Sequence, residues 1–363
     1  MYTFKNKRYL PPDALDDLIV QNNLYDYTSV LGYSVENRPI LVSSFGSGKR
    51  KVLLWSQMHG NESTTTRALI KLFSELTLKK SSLLNNLSIK VIYQLNPDGS
   101  NSYSRLNANG VDLNRDAIKR TQPESKLLIS LFNVFKPHFC INLHDQRSIY
   151  AAGNTNLPAL ISFLAPSFDE SKSINEVREN AMVMIGDIFK KIKPKKNWSI
   201  GRYNDDFNIN CFGDFFMSQN TPTILLEAGH HPNDFGRNMV VCEIYKCLLK
   251  FLNLFVQENR IKSNTEDYFS IPENHNHLRD IEIINIKDLS GLPNKLFIQF
   301  HEYLQGDKIY FLPKIEKETS KKLHGNRIID FSKFSSKLIN LEQNNQEIIK
   351  KLKLFLDFSL FLR

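Results

Sequence analysis

The sequence contains no apolar run of membrane-spanning length and no apolar segment typical of a secretion signal. A transmembrane helix requires about 20 consecutive, mostly apolar residues. Residues 1–13 are polar and lack the apolar core of a signal peptide. We therefore expect a protein that has no membrane partner and a cytoplasmic location.

Cysteine is scarce, and its spacing excludes two common kinds of site. The four cysteines are Cys140, Cys211, Cys242 and Cys247, and no two of them form a Cys-x-x-Cys pair. Zinc–thiolate sites and dithiol redox motifs depend on such pairs. Four reduced thiols in a cytoplasmic protein are the simplest interpretation.

Basic residues are in excess but are not concentrated in any segment. The chain has 47 Lys and Arg and 38 Asp and Glu, which gives a net charge of +9. It has no arginine-rich arm, no zinc-finger spacing and no interleaving of aromatic and basic residues. We expect no nucleic-acid partner, and a solvated basic surface that would also attract an acidic peptide.

Predicted strands and helices alternate through about residue 257. A chain of 363 residues suits one large domain and a smaller module. The alternation predicts an α/β sheet flanked by helices, with functional groups at the carboxyl ends of its strands. The predicted strands lie within 31–40, 51–56, 89–94, 139–143 and 223–226, and the helices at 64–76, 124–135, 174–192 and 239–256.

A second region is predicted after the polar segment Glu258 to Glu266, which is typical of a linker. Short strands are expected at 281–286, 295–301 and 308–311, followed by a helix at 339–362. We therefore divide the chain into a larger α/β domain, residues 1–257, and an accessory β-rich module with a terminal helix, residues 258–363.

The tetrapeptide His59-Gly60-Asn61-Glu62 follows a predicted strand and precedes a predicted helix. An imidazole and a carboxylate three residues apart can turn toward one zinc ion, which accepts both ligand types. By itself the pair is a weak signal, because Glu is also favoured at helix starts by the helix dipole. A catalytic zinc needs a third protein ligand and an open position for water.

Two later residues could complete such a site. His144 ends a predicted strand and is the candidate third ligand, although a single histidine there is also typical of a buried core residue. Glu227 ends another strand and could act as a general base, or it could form an ion pair with Arg237. Asp145 beside His144 could support the ligands, but adjacent strand residues point to opposite faces, which disfavours this role.

The segment from Asn96 to Asp116 is long, irregular and rich in polar groups. Long loops in compact domains are often functional. The guanidinium of Arg115, with the amide of Asn114, matches a carboxylate, and Arg105 could lie near a developing oxyanion. A solvated loop is the alternative interpretation.

The order of these motifs resembles the zinc metallocarboxypeptidases of the carboxypeptidase A-like (funnelin) type. The resemblance covers about Val52 to Gly229 and includes Asn96-Pro97-Asp98-Gly99 and Gly110-Val111-Asp112-Leu113-Asn114-Arg115. It implies a central mixed, mostly parallel sheet flanked by helices. It also implies one zinc ion on His59, Glu62 and His144, with Glu227 as general base and acid, Arg105 at the oxyanion, and Asn114 and Arg115 on the substrate carboxylate.

The sequence departs from the family pattern in ways that affect specificity. Members usually carry a mobile tyrosine before the catalytic glutamate, and Tyr203 is the possible counterpart. Asp116 and the segment Ala228 to His231 are unusual continuations of their motifs. No residue clearly sets the side-chain preference, although charge could come from Arg147, Arg202, Asp205 and Asp206.

The resemblance implies a zinc-dependent metallocarboxypeptidase, which hydrolyses the C-terminal bond of peptides with zinc-activated water and Glu227 as base. Its partner would be a peptide with a free C-terminal carboxylate. An alternative is an amide hydrolase of small N-acyl amino acids, similar to aspartoacylase or succinylglutamate desuccinylase, which share the ligand motif and carry a β-rich C-terminal module. A non-catalytic binding module is a third reading, which the presence of all three ligands and Glu227 disfavours.

Overall fold

A computed structural model describes residues 8–192, 194, 196–232, 234–257, 264–287, 293–316, 322–333, 346 and 348. Within these residues, the larger region forms an eight-stranded mixed sheet with the order β1-β2-β4-β3-β5-β9-β7-β8. The pairs β4–β3, β3–β5, β5–β9 and β7–β8 are parallel, and the remaining pairs are antiparallel. The strands are β1 (Thr28–Tyr33), β2 (Pro39–Phe45), β3 (Arg50–Trp55), β4 (Leu87–Ile92), β5 (Phe139–Asp145), β7 (Ala159–Leu164), β8 (Ser199–Arg202) and β9 (Thr223–Ala228).

Helices cover both faces of this sheet and create two apolar cores. Helices α2, α6 and α8 contribute to the larger core, while α5 and α7 contribute to the other. On the second face, the ring of Phe216 stacks on Phe132 and meets the edge of Trp55 from β3. The helices are α1 (Pro12–Gln21), α2 (Thr64–Leu78), α3 (Leu83–Asn86), α4 (Pro97–Asn101), α5 (Pro123–Phe135), α6 (Glu176–Lys191), α7 (Phe212–Ser218), α8 (Asn238–Val256) and α9 (Thr265–Phe269), and 3₁₀ turns occupy Tyr25–Tyr27, Leu113–Arg115 and Phe331–Lys333.

The predicted fold class is confirmed, and the predicted elements of the larger region are present with shifted ends. Buried strands β3, β5 and β9 and helices α2, α5, α6 and α8 were predicted from their apolar patterns. Strands β7 and β8 and helix α7 were not predicted. Strand β8 has only four residues, which is too short for a period to be recognised.

Described residues after 257 first return to the larger region and then form a separate sheet. Helix α9 packs on α6, and β10 (Asn274–His275) pairs with β6 (Ala151–Ala152). The second sheet has the order β13-β12-β11-β14. Its strands are β11 (Leu278–Lys287), β12 (Pro293–Gln305), β13 (Lys308–Glu316) and β14 (His324–Asp330).

The β-rich character of the C-terminal region is therefore confirmed, and β14 was missed by the sequence analysis. The domain boundary at residue 257 stays a prediction. Of the predicted linker from Glu258 to Glu266, residues 258–263 lie outside the described residues, while Asn264 caps helix α9, which begins at Thr265. The predicted helix at 339–362, apart from residues 346 and 348, also lies outside the described residues. In the described part of the chain, none of the helices has the length and apolar character needed to cross a membrane.

Candidate active site

The predicted ligands converge at the carboxyl edge of the central sheet. Strands β3, β5 and β9 are parallel neighbours, so their carboxyl ends share one edge. His59 and Glu62 follow β3, while His144 lies in β5 directly beside Glu227 of β9 in the strand register. All four side chains are buried, with at most 8% of each residue exposed.

Three donor groups lie at the mutual spacing that one metal ion requires. The Nδ1 atom of His59 is 2.9 Å from Glu62 Oε1, and His144 Nδ1 is 2.9 Å from Glu62 Oε2. The two Nδ1 atoms are 3.1 Å apart. Bonds of about 2.0–2.1 Å in a tetrahedron give ligand atoms about 3.3 Å apart. The group therefore fits zinc, and it is the one such cluster of His, Cys, Asp or Glu among the described residues.

The charges of this cluster are strongly coupled. Burial lowers the pKa of His59, but the charge of Glu62 and hydrogen bonds to Asp112 and Glu62 outweigh it and raise that pKa to about 9. Burial raises the pKa of Glu62, yet the two histidines hold it well below its usual value. A bound cation takes the place of the imidazole proton, so metal binding releases protons.

Asp112 lies behind His59 and is held by Arg105, and sequence reasoning had assigned no role to Asp112. Asp112 Oδ1 is 3.1 Å from His59 Nε2, and Arg105 Nη2 donates to Asp112 Oδ2 at 3.0 Å. A carboxylate on the second ring nitrogen fixes the tautomer and orientation of a ligating histidine. Asp112 is 53 residues from His59 in the sequence, so no local pattern predicted this contact.

Asp145 supports the site, contrary to the expectation from strand geometry. Its main-chain N–H donates to Glu62 Oε2 at 3.2 Å, and its carboxylate accepts from the N–H of Thr64 at 3.1 Å. Arg237 Nη1 lies 3.3 Å from the same carboxylate. The carboxylate of Asp145 thus holds the start of α2, which begins two residues after Glu62. Arg237 thus pairs with Asp145 and not with Glu227, which was the alternative interpretation of Glu227 in the sequence analysis.

The loop at Gly60 crosses helix α4 with no side chain between the two segments. A Cβ atom added to Gly60 would lie 2.0 Å from the carbonyl carbon of Gly99 and 2.1 Å from the nitrogen of Ser100. Asn96 joins the two segments, because its side chain accepts from the N–H of Gly99 at 2.8 Å and donates to the carbonyl of Met58 at 3.2 Å. The predicted turn at 96–99 is thus the capped start of helix α4.

We expect Gly60→Ala to destabilise the protein by more than about 3 kcal/mol, the upper end for ordinary overpacking, because the clash is with main chain that cannot rotate away. Urea unfolding measures the free energy. Gly110→Ala is the matched control, since a Cβ there meets no atom within 4 Å and only its φ of +71° is unfavourable. Equal losses in the two variants would show that the loop crossing is not tight.

Glu227 faces the same cavity as the ligands. Burial and the charge of Glu62 raise the pKa of Glu227 well above its usual value. Tyr203 also lines this cavity, and its hydroxyl lies 3.2 Å from that of Tyr150. Burial, followed by the charge of Glu227, raises the pKa of Tyr203 above its ordinary value.

The amide and guanidinium predicted to bind a carboxylate line another part of the cavity. Arg115 is exposed. Its Nη1 donates to the carbonyl of Asn114 at 2.7 Å and to Cys211 Sγ at 3.1 Å. Asn114 Oδ1 accepts from the N–H of Phe212 at 3.0 Å. Helix α7, which the sequence analysis missed, therefore helps to orient these groups.

The cavity has a volume of about 800 Å³ and collects the predicted residues. Arg147 and Asp206, two of the four charged candidates for specificity, line it as well. Arg202 instead pairs with Glu273 at 2.7 Å, and Asp205 pairs with Arg178. The predicted site residues at its wall are His59, Glu62, Arg105, Asn114, Arg115, His144, Tyr203 and Glu227.

Asp214 also lines the cavity and makes stability depend on pH. Burial raises its pKa to about 7, although it accepts hydrogen bonds from the N–H groups of Asn208 and Ser167. The folded state therefore holds a proton that the unfolded chain releases above its ordinary pKa of 3.8. This contribution to stability is complete below the lower pKa and is lost as pH rises through about 7.

Between pH 4 and pH 8, we expect the free energy of unfolding to fall by on the order of 2–4 kcal/mol more in the wild type than in the Asp214→Asn variant. The reason is that the amide of the variant cannot ionise. Urea unfolding with a chelator present measures this, so that metal release does not contribute. Asp206→Asn, at an exposed position of the same cavity, is the control. Parallel pH profiles of wild type and Asp214→Asn would contradict the assignment.

Comparison with solved structures defines the class of fold. The metallo-carboxypeptidase of Pseudomonas aeruginosa in complex with (2-guanidinoethylmercapto)succinic acid superposes with a TM-score of 0.55 at 16% identity, covering 70% of this chain and 71% of that one. The metallo-carboxypeptidase of Burkholderia cenocepacia gives a TM-score of 0.53 at 17% identity, with 69% and 70% covered. The fold is therefore that of the metallo-carboxypeptidases.

Sequence comparison leads to the family. Residues 21–148 match the family described as zinc carboxypeptidase. "Probable carboxypeptidase 2" of Trichophyton verrucosum is 28% identical over 233 residues, 61% of this chain, and "Carboxypeptidase E" of Caenorhabditis elegans is 34% identical over 113 residues, 24% of each chain. The chain spans 41% of the length of the first relative. The predicted resemblance to the zinc carboxypeptidases is therefore confirmed over part of the chain.

Proposed function

We propose that the protein is a zinc-dependent metallocarboxypeptidase that hydrolyses the C-terminal peptide bond of peptides. The observation that carries this proposal is the cluster of His59, Glu62 and His144 beside Glu227 in one cavity. The family match and the named relatives support a peptidase over an N-acyl amino acid hydrolase.

The three ligands would hold one zinc ion, which when bound supplies Lewis acidity and lowers the pKa of water. Glu227 takes a proton from the attacking water and later gives it to the leaving amine. Its raised pKa favours this role, because it makes the carboxylate of Glu227 a stronger proton acceptor than an ordinary carboxylate.

Arg105 and Arg115 have separate tasks in this proposal. Arg105 is 46% exposed at its side chain and lies 3.6 Å from Glu62, so it can reach the oxygen of a carbonyl beside the ligands. A guanidinium there stabilises the negative charge that develops on this oxygen. Arg115, with Asn114, binds the terminal carboxylate in bidentate geometry, which restricts cleavage to the last peptide bond.

Tyr203 would act on the substrate rather than on the metal, and its place in the cavity wall supports this role. Its raised pKa keeps the hydroxyl protonated, so it can donate a hydrogen bond to a peptide in the cavity. Tyr150, in contact with it at 3.2 Å, would release the hydroxyl when substrate enters.

The proposal is tested by assaying short peptides that differ in the C-terminal residue, together with N-acyl amino acids, with and without a chelator. We expect release of the last amino acid from peptides, loss of activity with the chelator and recovery on adding zinc. Cleavage of the N-acyl amino acids alone would favour the alternative hydrolase, while activity insensitive to the chelator would refute a zinc mechanism.

A further inference from the structure

The C-terminal sheet forms part of the wall of the active-site cavity. Strands β11, β12 and β13 all contribute, so the contact involves a surface and not one chance side chain. The wall residues are Asp280, Phe300, His301, Glu302 and Phe311. We refer to these five as the module wall.

Glu302 fixes the module wall to the loops that carry the ligands. It pairs with Arg8 at 2.5 Å and accepts from the hydroxyl of Tyr103 at 2.5 Å. The carbonyl of Arg8 in turn accepts from the hydroxyl of Ser63, which follows Glu62. Tyr103 lies two residues before Arg105. The wall is therefore held against both the ligand loop and the oxyanion loop.

The loop after His144 is joined to the same sheet. Gln299 donates to the hydroxyl of Ser148 at 2.9 Å, and Asn326 donates to the carbonyl of Ser148 at 3.1 Å. The N–H of Leu278 donates to the carbonyl of Ile149 at 3.0 Å. Three hydrogen bonds thus connect β11, β12 and β14 to the segment four to five residues beyond a predicted ligand.

The loop after Glu227 contributes an apolar attachment. Phe235 packs on the apolar core of the C-terminal sheet, with ring centroids 5.8 Å from Phe300 and 5.3 Å from Phe311. His230 contacts the other side of Phe235 at 5.4 Å. The module wall is therefore attached after each of the catalytic strands.

The groups assigned to the terminal carboxylate belong to a different set of contacts. Arg115 and Asn114 are oriented by Cys211 and Phe212, at the start of α7. A peptide with its last residue at Arg115 and its scissile bond at the ligands directs its preceding residues toward another part of the cavity. The module wall is the part supplied by the C-terminal sheet.

We infer that the module wall is the binding surface for the residues that precede the scissile bond, and that it limits the enzyme to short peptides. This inference rests on the proposed function. A cavity of about 800 Å³ lies in the range of sites for small ligands and suits a peptide of about two to four residues. A longer peptide would have to displace a wall held by charge pairs and packed aromatic rings.

The test uses peptides from two to eight residues that share their two C-terminal residues. For the zinc-loaded wild type, we expect kcat/KM to fall about tenfold or more between four and eight residues, a difference that binding alone can produce.

His301→Ala shortens an exposed wall residue, and Glu302→Gln removes the charge that Arg8 binds. Both variants should raise kcat/KM for the eight-residue peptide relative to the four-residue peptide by several-fold, mainly through KM. Ile328→Ala, 62% exposed on β14 and outside the cavity lining, should keep the wild-type ratio.

A binding measurement separates this inference from the proposed function. Calorimetry with zinc-loaded Glu227→Gln gives the Kd of each peptide, and the same preference for short peptides is expected there. Equal kcat/KM and equal Kd across all lengths, or wall variants that keep the wild-type ratio, would overturn the inference. If no peptide is cleaved at any length but short peptides bind more tightly, the proposed activity fails and the module wall stands.

Discussion

Glu227→Gln is expected to lower peptide hydrolysis by about 10²–10⁴-fold while zinc binding persists. The amide has nearly the shape of the carboxylate but cannot accept a proton from water or deliver one to the leaving amine. Glu227 lies beside His144 in the strand register, yet it is not one of the three clustered donors. Its replacement should therefore leave the ligands in place. Steady-state kinetics and zinc content by mass spectrometry measure the two properties on one sample.

Glu273→Gln is the control for this experiment. Its side chain is 64% exposed, it pairs with Arg202, and it does not line the active-site cavity. We expect wild-type kinetics from it. Near-full activity of Glu227→Gln at full zinc occupancy would reject the assigned base, whereas a loss of both zinc and activity would place Glu227 among the groups that hold the metal.

His144→Ala is expected to weaken zinc binding by about 10³-fold or more, because two ligands from one loop remain of the three that a catalytic zinc requires. The substitution also removes the imidazole whose Nδ1 lies 3.1 Å from Nδ1 of His59. Competition with a chromophoric chelator measures the zinc affinity, and activity should fall in parallel at limiting zinc.

The matched control is His138→Ala, which precedes the same strand at its opposite end. His138 is exposed, and its Nδ1 accepts from the N–H of Lys51 at 2.9 Å. Zinc affinity and kcat should stay at wild-type values in this control. If His144→Ala binds zinc as tightly as His138→Ala does, His144 is a buried core residue and the metal site must be assigned differently.

Prediction from sequence succeeded where a signal is local. The apolar runs of β3, β5 and β9 are bounded by turns, and each ends close to a polar residue that reaches the cavity. A run of apolar residues defines a buried strand, and parallel neighbours place their carboxyl ends at one edge. The pair of His59 and Glu62 is a weak signal by itself, and the order of the other motifs along the chain made it a specific indication of a metal site.

Prediction failed where a contact depends on how distant segments pack. Asp145 was given little weight as a supporting residue because adjacent strand residues point to opposite faces. In the structure its carboxylate holds the start of α2, and its main-chain N–H donates to Glu62. Asp112 was overlooked for the same reason, since its contact with His59 joins two loops on either side of the crossing at Gly60.

The sequence alone determined which side chains could bind a metal, in which order they occur, and which strands would present them. These properties follow from residue chemistry and from periodicity, both of which are local. Only the tertiary structure decided that three donor atoms lie 2.9–3.1 Å apart, that Arg237 pairs with Asp145, and that the C-terminal sheet lines the cavity. Those distances depend on the pairing order of the sheet and on contacts such as that between Arg8 and Glu302, which lie far apart in the sequence. No local sequence pattern encodes such contacts.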